Sequence, residues 1–373
     1  MFLVLYRKYR PQTFAEVIGQ EHVVKTLTNA IASQNISHAY LFAGPRGSGK
    51  TTVARLLAKA LNCENRRKGD YEPCNKCLFC LEVNENRSID LIEIDAASHR
   101  GIDEIRELRD GIKFTPSRAK YKVFILDESH QLTKEAANAL LKTLEEPPAH
   151  AIFILATTEI HKMIPTIISR CQRFDFRKLS VPEIIKRLEF IAEKERIKIE
   201  KEALELIALN ADGSIRDAES ILDQILSYHN VANNHQSIIK TEDIKEILGL
   251  IEINIVSQFC DFLLQKKTGP AINFLNELIE KGVDLQEFIK TLINYLRQGL
   301  ILRLINIPNS NHLIIGLTKE QLAKLQQQMA NCPESEIRRL IELLLEAERK
   351  IYYATIPQLP LELVIIEATQ NIK

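Results

Sequence analysis

The sequence predicts an α/β domain, a mostly parallel sheet with helices on both faces, followed by an all-helical remainder. Three observations carry that prediction. Short β-branched runs alternate with helical patterns from residue 38 to 179, the loop "GPRGSGKT" joins the first run to a helix, and strand signals stop after Ser180. Alternation of this kind sets strands side by side through helical crossovers, and ligands of such sheets lie beyond the carboxyl ends of the strands.

The strand signals in order are "HAYLFAG", "SIDLIEIDAAS", "KVFILDE", "AIFILATT" and "RFDFRKL". After the first comes a Gly, four residues, then Gly-Lys-Thr, the spacing that cradles nucleotide phosphates. Gly44, Gly47 and Gly49 let several N–H groups of the loop converge on one anion, with Pro45, Arg46 and Ser48 completing it. Lys50 adds a point charge for the outer phosphates and Thr51 a hydroxyl for Mg²⁺. The helix "KTTVARLLAKALN" aims its positive end at the same place. These features predict ATP and Mg²⁺ as ligands.

"VFILDES" puts Asp127 and Glu128 directly after an apolar strand. Asp127 suits Mg²⁺, held through water opposite Thr51, and Glu128 suits the polarisation of an attacking water. Acids also end strands as ordinary solvated loop starts, and it is the pairing with the phosphate loop that favours the site. The next strand ends in Thr157 and Thr158, whose hydroxyls suit a hydrogen bond to that water or to the γ-phosphate. Arg170 in "SRCQRF" and Arg216 in "GSIRDA", where Ser214 is placed to cap a helix, suit the spread charge of a metaphosphate-like transition state. Each suits a surface ion pair equally well, and composition does not decide.

Beyond Ser180, "VPEIIKRLEFIAEKE" and "KEALELIALNADGSIRDAESILDQILSYH" carry apolar residues at helical spacing, as do "GPAINFLNELIEKG", "LQEFIKTLINYLRQGLILRLI" and "SEIRRLIELLLEAERKIYY". The expected division is 1–179, 180–242 and 243–373. The Leu and Ile stripes of the last part read as helical core, with room for a subunit interface along them.

The 373 residues suit two or three domains, and 49 basic against 49 acidic residues exclude a general polyanion binder, so any DNA contact must be a local patch. No apolar run reaches membrane-spanning length, and "MFLVLYRKYRP" is too short, with charges on the wrong side, for a secretory signal. A cytoplasmic protein is expected, its seven cysteines reduced or metal-bound. Cys63, Cys74, Cys77 and Cys80, with ten, two and two residues between them, suit one tetrahedral Zn²⁺ in a closed structural site within 63–80. Cys171, Cys260 and Cys332 stand isolated.

"YRKYRPQTFAEVIGQEH", "GPRGSGKT", "ILDESHQL", "ANALLKTLEEPP", "LATTEIHKMIPTIISRC" and "GSIRDA" together resemble, in order and spacing, the bacterial DNA polymerase III gamma/tau family. That family is the AAA+ ATPase motor of the replicative clamp loader. The resemblance implies a AAA+ P-loop NTPase domain, an all-α lid and an all-α oligomerisation collar. It also implies a structural zinc module at the cysteines. By it, Thr158 is the first sensor, Arg216 the second sensor acting in its own chain, and Arg170 an arginine finger entering the ATP site of a neighbouring subunit. Arg10, Pro11, Val17 and Ile18 then lie near the adenine. The implied partners are the delta and delta-prime subunits and further copies of the chain in a five-membered ring, the sliding clamp, primed DNA recognised without regard to sequence, and, indirectly, the polymerase core. Membership of the holoenzyme brings a DNA-directed DNA polymerase (nucleotidyltransferase) label, although the sequence gives no nucleotidyl-transfer centre.

By charge alone "ASHRGIDEIRELRDGIKFTPSRAK" is a solvated amphipathic face. In clamp loaders a helix at this place lines the central chamber, which nominates Arg100 and Arg106 for DNA phosphates. The ending "LVIIEATQNIK" resembles the shorter gamma form rather than tau, which adds segments for the helicase and polymerase. Two other readings differ in kind. A hexameric motor on branched DNA or protein shares the phosphate site but predicts neither the cysteines nor a long collar. A catalytically silent scaffold of the same fold predicts a damaged phosphate loop, and Gly44 to Thr51 is intact.

Overall fold

The computed structural model describes residues 4–98, 111, 112, 114–232, 238–248, 251–304, 319–330 and 332–370. The chain divides into two compact units, Met1–Lys240 and Thr241–Lys373.

In the first unit a parallel sheet forms from β1 (Ala39–Ala43), β2 (Leu91–Asp95), β3 (Lys122–Asp127), β4 (Ala151–Thr157) and β5 (Gln172–Asp175), in the order β2-β3-β4-β1-β5. Every residue of the central strands β1 and β4 is buried, as expected of a sheet covered on both faces, where apolar runs replace alternation. Successive side chains still point to opposite faces. Tyr40, Phe42, Val123, Ile125, Ile152 and Ile154 meet α2 (Glu21–Ala32) and α3 (Lys50–Asn62) through Val23, Leu27, Ile31, Val53, Ala54 and Leu57. Leu41, Phe124, Leu126, Phe153 and Leu155 meet α5 (Lys134–Glu145) and α6 (Pro165–Ile168) on the other side. The short helices α1 (Leu5–Lys8) and α4 (Leu78–Asn84) complete the α/β part.

Strand order sets the site. The phosphate loop leaves β1, Asp127 and Glu128 leave β3, and β4 lies between them, so Thr157 and Thr158 emerge between the loop and the acids.

Three helices follow: α7 (Val181–Glu195), α8 (Lys201–Asn210) and α9 (Ile215–Ala232). Ser180 and Glu183 form a capping box at the start of α7, and Arg177 donates to both Glu183 carboxylate oxygens at 2.6 and 3.0 Å. Hydrogen bonding from Arg177, then from Ser180, holds the Glu183 carboxyl down at about 2 against an ordinary 4.5. A depressed carboxyl stabilises the fold above its unfolded pKa and loses that contribution as pH falls through the folded one. Glu183→Gln should therefore cost about 1 kcal/mol in urea unfolding at neutral pH. The cost should shrink between pH 4.5 and about 2. A cost independent of pH would remove the charge from this account.

The second unit holds α10 (Thr241–Ile247), α11 (Ile253–Leu264), α12 (Thr268–Glu280), α13 (Leu285–Leu304), α14 (Lys319–Ala330), α15 (Glu334–Ile351) and α16 (Leu359–Thr369). Its core centres on Phe259 and Phe288, edge to face at 5.1 Å, with Leu292, Leu296, Leu340 and Leu344 around them. A polar network is buried there: Tyr295 donates to Gln328 Oε1 at 2.7 Å, and Gln328 Nε2 donates to the Ser257 carbonyl at 2.9 Å. No helix among the described residues is long and apolar enough to cross a membrane.

Candidate functional site

The phosphate loop has the backbone its glycines permit. Gly47 (φ 73°) and Gly49 (φ 98°) take left-handed conformations, and a Cβ on Gly47 would lie 1.8 Å from Ser214 Oγ. That contact ties the loop to the start of α9, where Ser214 Oγ accepts from the Asp217 amide at 3.3 Å and so caps the helix. Lys50, first residue of α3, is buried, and its Nζ donates to the Gly44 and Pro45 carbonyls at 2.8 Å each. Burial pushes its pKa below the ordinary lysine value, against the pull of Glu128 and Asp127.

Thr51 donates to Asp127 Oδ2 at 2.7 Å, so the two predicted Mg²⁺ ligands meet. The Asp127 carboxylate, backed by the Glu128 amide at 3.0 Å, and the Thr51 hydroxyl form a hard oxygen set that fits Mg²⁺ completed by nucleotide and water. Glu128 stands at φ 46°, ψ 42°, a left-handed backbone that is uncommon away from glycine. The turn sends its side chain away from that of Asp127, so adjacent acids take different partners. Glu128 Oε2 accepts from the Thr158 hydroxyl at 2.8 Å and the Thr158 amide at 3.3 Å, and it lies 3.4 Å from His130 Nδ1. Thr157, by contrast, is fully buried, its hydroxyl paired with His130 Nδ1 at 3.1 Å and accepting from the Glu159 amide at 3.0 Å.

One cleft collects most of the residues predicted for nucleotide: Arg10, Pro11, Val17 and Ile18 on one wall, Arg46, Gly47, Ser48, Gly49, Lys50 and Thr51 at its floor, Asp127 and Glu128 beside them, and Arg216 from α9 across it. Gly44 and Pro45 are not in its lining. Gly44 instead lies under Phe176, whose carbonyl oxygen would be 2.4 Å from an added Cβ. Thr158 reaches the site through Glu128. Arg170 is elsewhere: half-buried after α6, it pairs with Glu145 Oε1 at 2.6 Å and donates to the Thr166 carbonyl at 2.7 Å. Arg100 and Arg106 lie outside the described residues.

The sequence reading missed Tyr6, Glu16, Thr52, Leu179, Arg187, Ile215 and Glu219, which also line the cleft. Glu16, Thr52 and Ile215 adjoin predicted residues and were within reach. The others arrive from α1, the stretch just before α7 and the lid, and no local spacing announces them. Arg216 lies over the Tyr6 ring at 4.9 Å. Arg187 pairs with Glu219 at 2.9 Å, both buried, and donates to the Tyr9 carbonyl, which fixes the lid against the N-terminal segment. Burial raises the Glu219 carboxyl even beside Arg187, so this pair costs solvation to keep and serves position more than stability. Burial, then the neighbouring Arg55, lowers Arg10 to about 10, which leaves it cationic at neutral pH. Five cations (Arg10, Arg46, Lys50, Arg187, Arg216) thus face four carboxylates (Glu16, Asp127, Glu128, Glu219), a balance that suits a polyanionic ligand.

A second cluster lies at the far end of α3. The sulfurs of Cys63, Cys74, Cys77 and Cys80 are all within 4.8 Å of one another, and four thiolates about 2.3 Å from one zinc stand about 3.8 Å apart. Amides already face the sulfurs: Lys76 and Cys77 donate to Cys74 Sγ at 3.4 and 3.2 Å, and Cys74 donates to Cys63 Sγ at 3.3 Å. Burial pushes the Cys74 thiol up, but the amides of Lys76 and Cys77 outweigh it and bring the group down to about 6. The donor set and its amide support fit zinc, which would hold the 63–80 loop closed.

A P-loop nucleotide-binding fold of the AAA+ class is what these features define, with a helical lid delivering an arginine to a cleft at the carboxyl ends of a five-stranded parallel sheet. Residues 19–180 match the family described as DNA polymerase III, delta subunit, residues 183–231 the ATPase lid domain of DNA polymerase III clamp loader subunits, and residues 239–372 domain III of DNA polymerase III subunits gamma and tau. Among curated proteins, DNA polymerase III subunit tau of Bacillus subtilis is 42% identical over 371 residues, 99% of this chain and 64% of that protein. The Escherichia coli tau subunit is 36% identical over 98% of this chain and 55% of its own length. Subunit gamma of Buchnera aphidicola (Acyrthosiphon pisum) is 35% identical over 100% of this chain and 99% of that protein. The chain belongs to the gamma/tau family of DNA polymerase III clamp-loader subunits, and it spans under two thirds of these tau relatives. Among solved structures, the Thermotoga maritima RuvB Holliday junction branch migration motor aligns over 68% of this chain and 79% of that one, at 19% identity and a TM-score of 0.49.

Proposed function

We propose that the chain is the ATP-hydrolysing motor of a clamp loader. In this reading ATP with Mg²⁺ binds in the cleft, and a ring of this chain, further copies and the delta and delta-prime subunits opens the sliding clamp around primed DNA. Hydrolysis then releases the closed clamp. The observation that carries the reading is the division of labour at the end of β3: Asp127 turns to Thr51 and the phosphate loop, Glu128 to Thr158. In this reading one acid serves the cation and the other polarises the water that attacks the γ-phosphate.

The remaining roles follow from that centre. Arg216 is the sensor in its own chain, and Pro11, Val17 and Ile18 form the adenine side. Residues 1–179, 180–242 and 243–373 act as motor, lid and oligomerisation collar. The cysteine cluster holds a structural Zn²⁺. Arg100 and Arg106 track DNA phosphates, an assignment that rests on their place in the sequence. The chain works in the cytoplasm as part of the polymerase III holoenzyme and contributes no polymerase chemistry of its own. What supports these roles is family membership together with the residues gathered in the cleft.

The test is the steady-state ATPase rate of the chain assembled with its delta and delta-prime partners, alone, with sliding clamp, and with clamp plus primed DNA. Stimulation that needs both clamp and primed DNA is expected. A rate equal in all three conditions would assign the motor to another substrate, and no hydrolysis in any would favour a scaffold.

A further inference from the structure

Lys59 is a buried cation that nucleotide chemistry leaves unexplained. It sits one helical stretch beyond Lys50 on α3, is 1% exposed, and its ammonium is surrounded by four oxygens: Gln12 Oε1 at 2.9 Å, the Gln12 carbonyl at 3.2 Å, Asn75 Oδ1 at 2.5 Å and Asn84 Oδ1 at 2.6 Å. Two of these belong to the N-terminal segment, one to the loop between Cys74 and Cys77, and one to the end of α4, which carries Cys80. Asn75 Nδ2 also donates to the Gln12 carbonyl at 3.0 Å. Two residues before Cys74, the Glu72 carboxylate takes the backbone amides of Phe14 at 2.8 Å and Ala15 at 3.0 Å. The held segment, residues 12–16, is flanked and partly formed by the cleft wall: Arg10 and Pro11 precede it, Glu16 ends it, and Val17 and Ile18 follow. Gln12 closes the segment on itself, its amide donating to Glu16 Oε2 at 2.7 Å.

We infer that the cysteine module is a brace for the nucleotide cleft, its metal occupancy setting nucleotide affinity through two positioning residues, Lys59 and Glu72. Four thiolates around a divalent ion leave a net charge of about −2, and a buried ammonium beside them gains a counter-ion it cannot get from water. Loss of the metal frees the 63–80 loop. Asn75 and Glu72 then no longer fix residues 12–16, and the wall that meets the base side of the nucleotide loses its outer support. Coupling of two sites is reciprocal, so nucleotide must in turn hold the metal.

The inference rests on the reading that the cleft binds ATP, and the experiment separates the two. On the full chain, the Kd for a fluorescent ATP analogue is measured with the zinc content, and the rate of zinc release to a chromogenic chelator is followed with and without saturating Mg²⁺ and ATPγS. In the wild type we expect one zinc per chain and release slowed about 10-fold by nucleotide. In Lys59→Met and in Glu72→Gln the analogue should bind about 10-fold more weakly, and zinc release should no longer respond to nucleotide. Glu72→Gln keeps the side-chain shape at a half-buried site and so reports on coupling even where Lys59→Met fails to fold, which a thermal melt reveals. Wild-type chain that binds the analogue, with Glu72→Gln binding equally and release indifferent to nucleotide, overturns the brace alone. Wild-type chain that binds no analogue overturns the ATP reading and the brace with it.

Discussion

Glu128→Gln should lower the ATPase rate of the assembled complex by about 10²- to 10⁴-fold, the range for loss of a positioned general base, with nucleotide affinity of the chain unchanged within about 2-fold. The geometry explains why the loss should fall on chemistry and not on folding. Glu128 Oε2 accepts from the Thr158 hydroxyl and amide, and the carbonyl oxygen of a glutamine accepts from the same two donors. The left-handed backbone at Glu128 is set by the turn into residues 129–131 and does not depend on the carboxylate. Asp127, facing Thr51, is untouched, so the cation and phosphates keep their ligands. Single-turnover hydrolysis with a parallel binding titration checks this. A rate within about 3-fold of wild type would leave Glu128 a spectator and transfer the role of base to another group in the cleft.

The split between legible and illegible residues has a physical basis. Gly47 to Thr51 and the Asp127-Glu128 pair were legible because each reaches the cleft from the end of a strand, where a short local spacing fixes direction. Apolar runs gave β1, β3 and β4 for a related reason, since strands buried on both faces have no polar side to interrupt them, whereas the outer strands β2 and β5 keep exposed polar positions and read by alternation. The four cysteines were legible from spacing as well, and the fold gathers their sulfurs. Strand order was not legible, yet it alone puts Thr158 beside Glu128 and leaves Thr157 turned into the core against His130. Tyr6, Arg187 and Glu219 belong to elements that meet only after the lid folds over the N-terminal segment. Lys59 reads in sequence as one more charge on an amphipathic helix. Its burial depends on the Cys74–Cys80 loop closing over it, an event no helical pattern records.

Arg170 is a predicted reactive residue that the fold keeps away from its own cleft, and its removal should have an effect as large as that of Glu128→Gln. In this chain it belongs to the face of the sheet covered by α5 and α6, bound to Glu145 and the Thr166 carbonyl, while α2 and α3 cover the opposite face and the phosphate loop lies at the carboxyl ends of the strands. The Glu145 pair is half-exposed and worth no more than about 1 kcal/mol, so Arg170→Ala should fold normally and bind nucleotide as wild type does. In the assembled ring, where the family resemblance sends this guanidinium into the neighbouring subunit, clamp- and DNA-stimulated hydrolysis should fall by about 10³-fold or more, the range for an arginine finger. Mixed assembly distinguishes the two possible geometries. A site built from the phosphate loop and Glu128 of an Arg170→Ala subunit regains its finger when the neighbour is a Glu128→Gln subunit with Arg170 intact. Rings assembled from both inactive variants should therefore recover part of the stimulated rate if the arginine acts on its neighbour. If Arg170 served its own chain, each subunit in the mixture would still lack one essential group, and the mixture would stay as inactive as either variant alone.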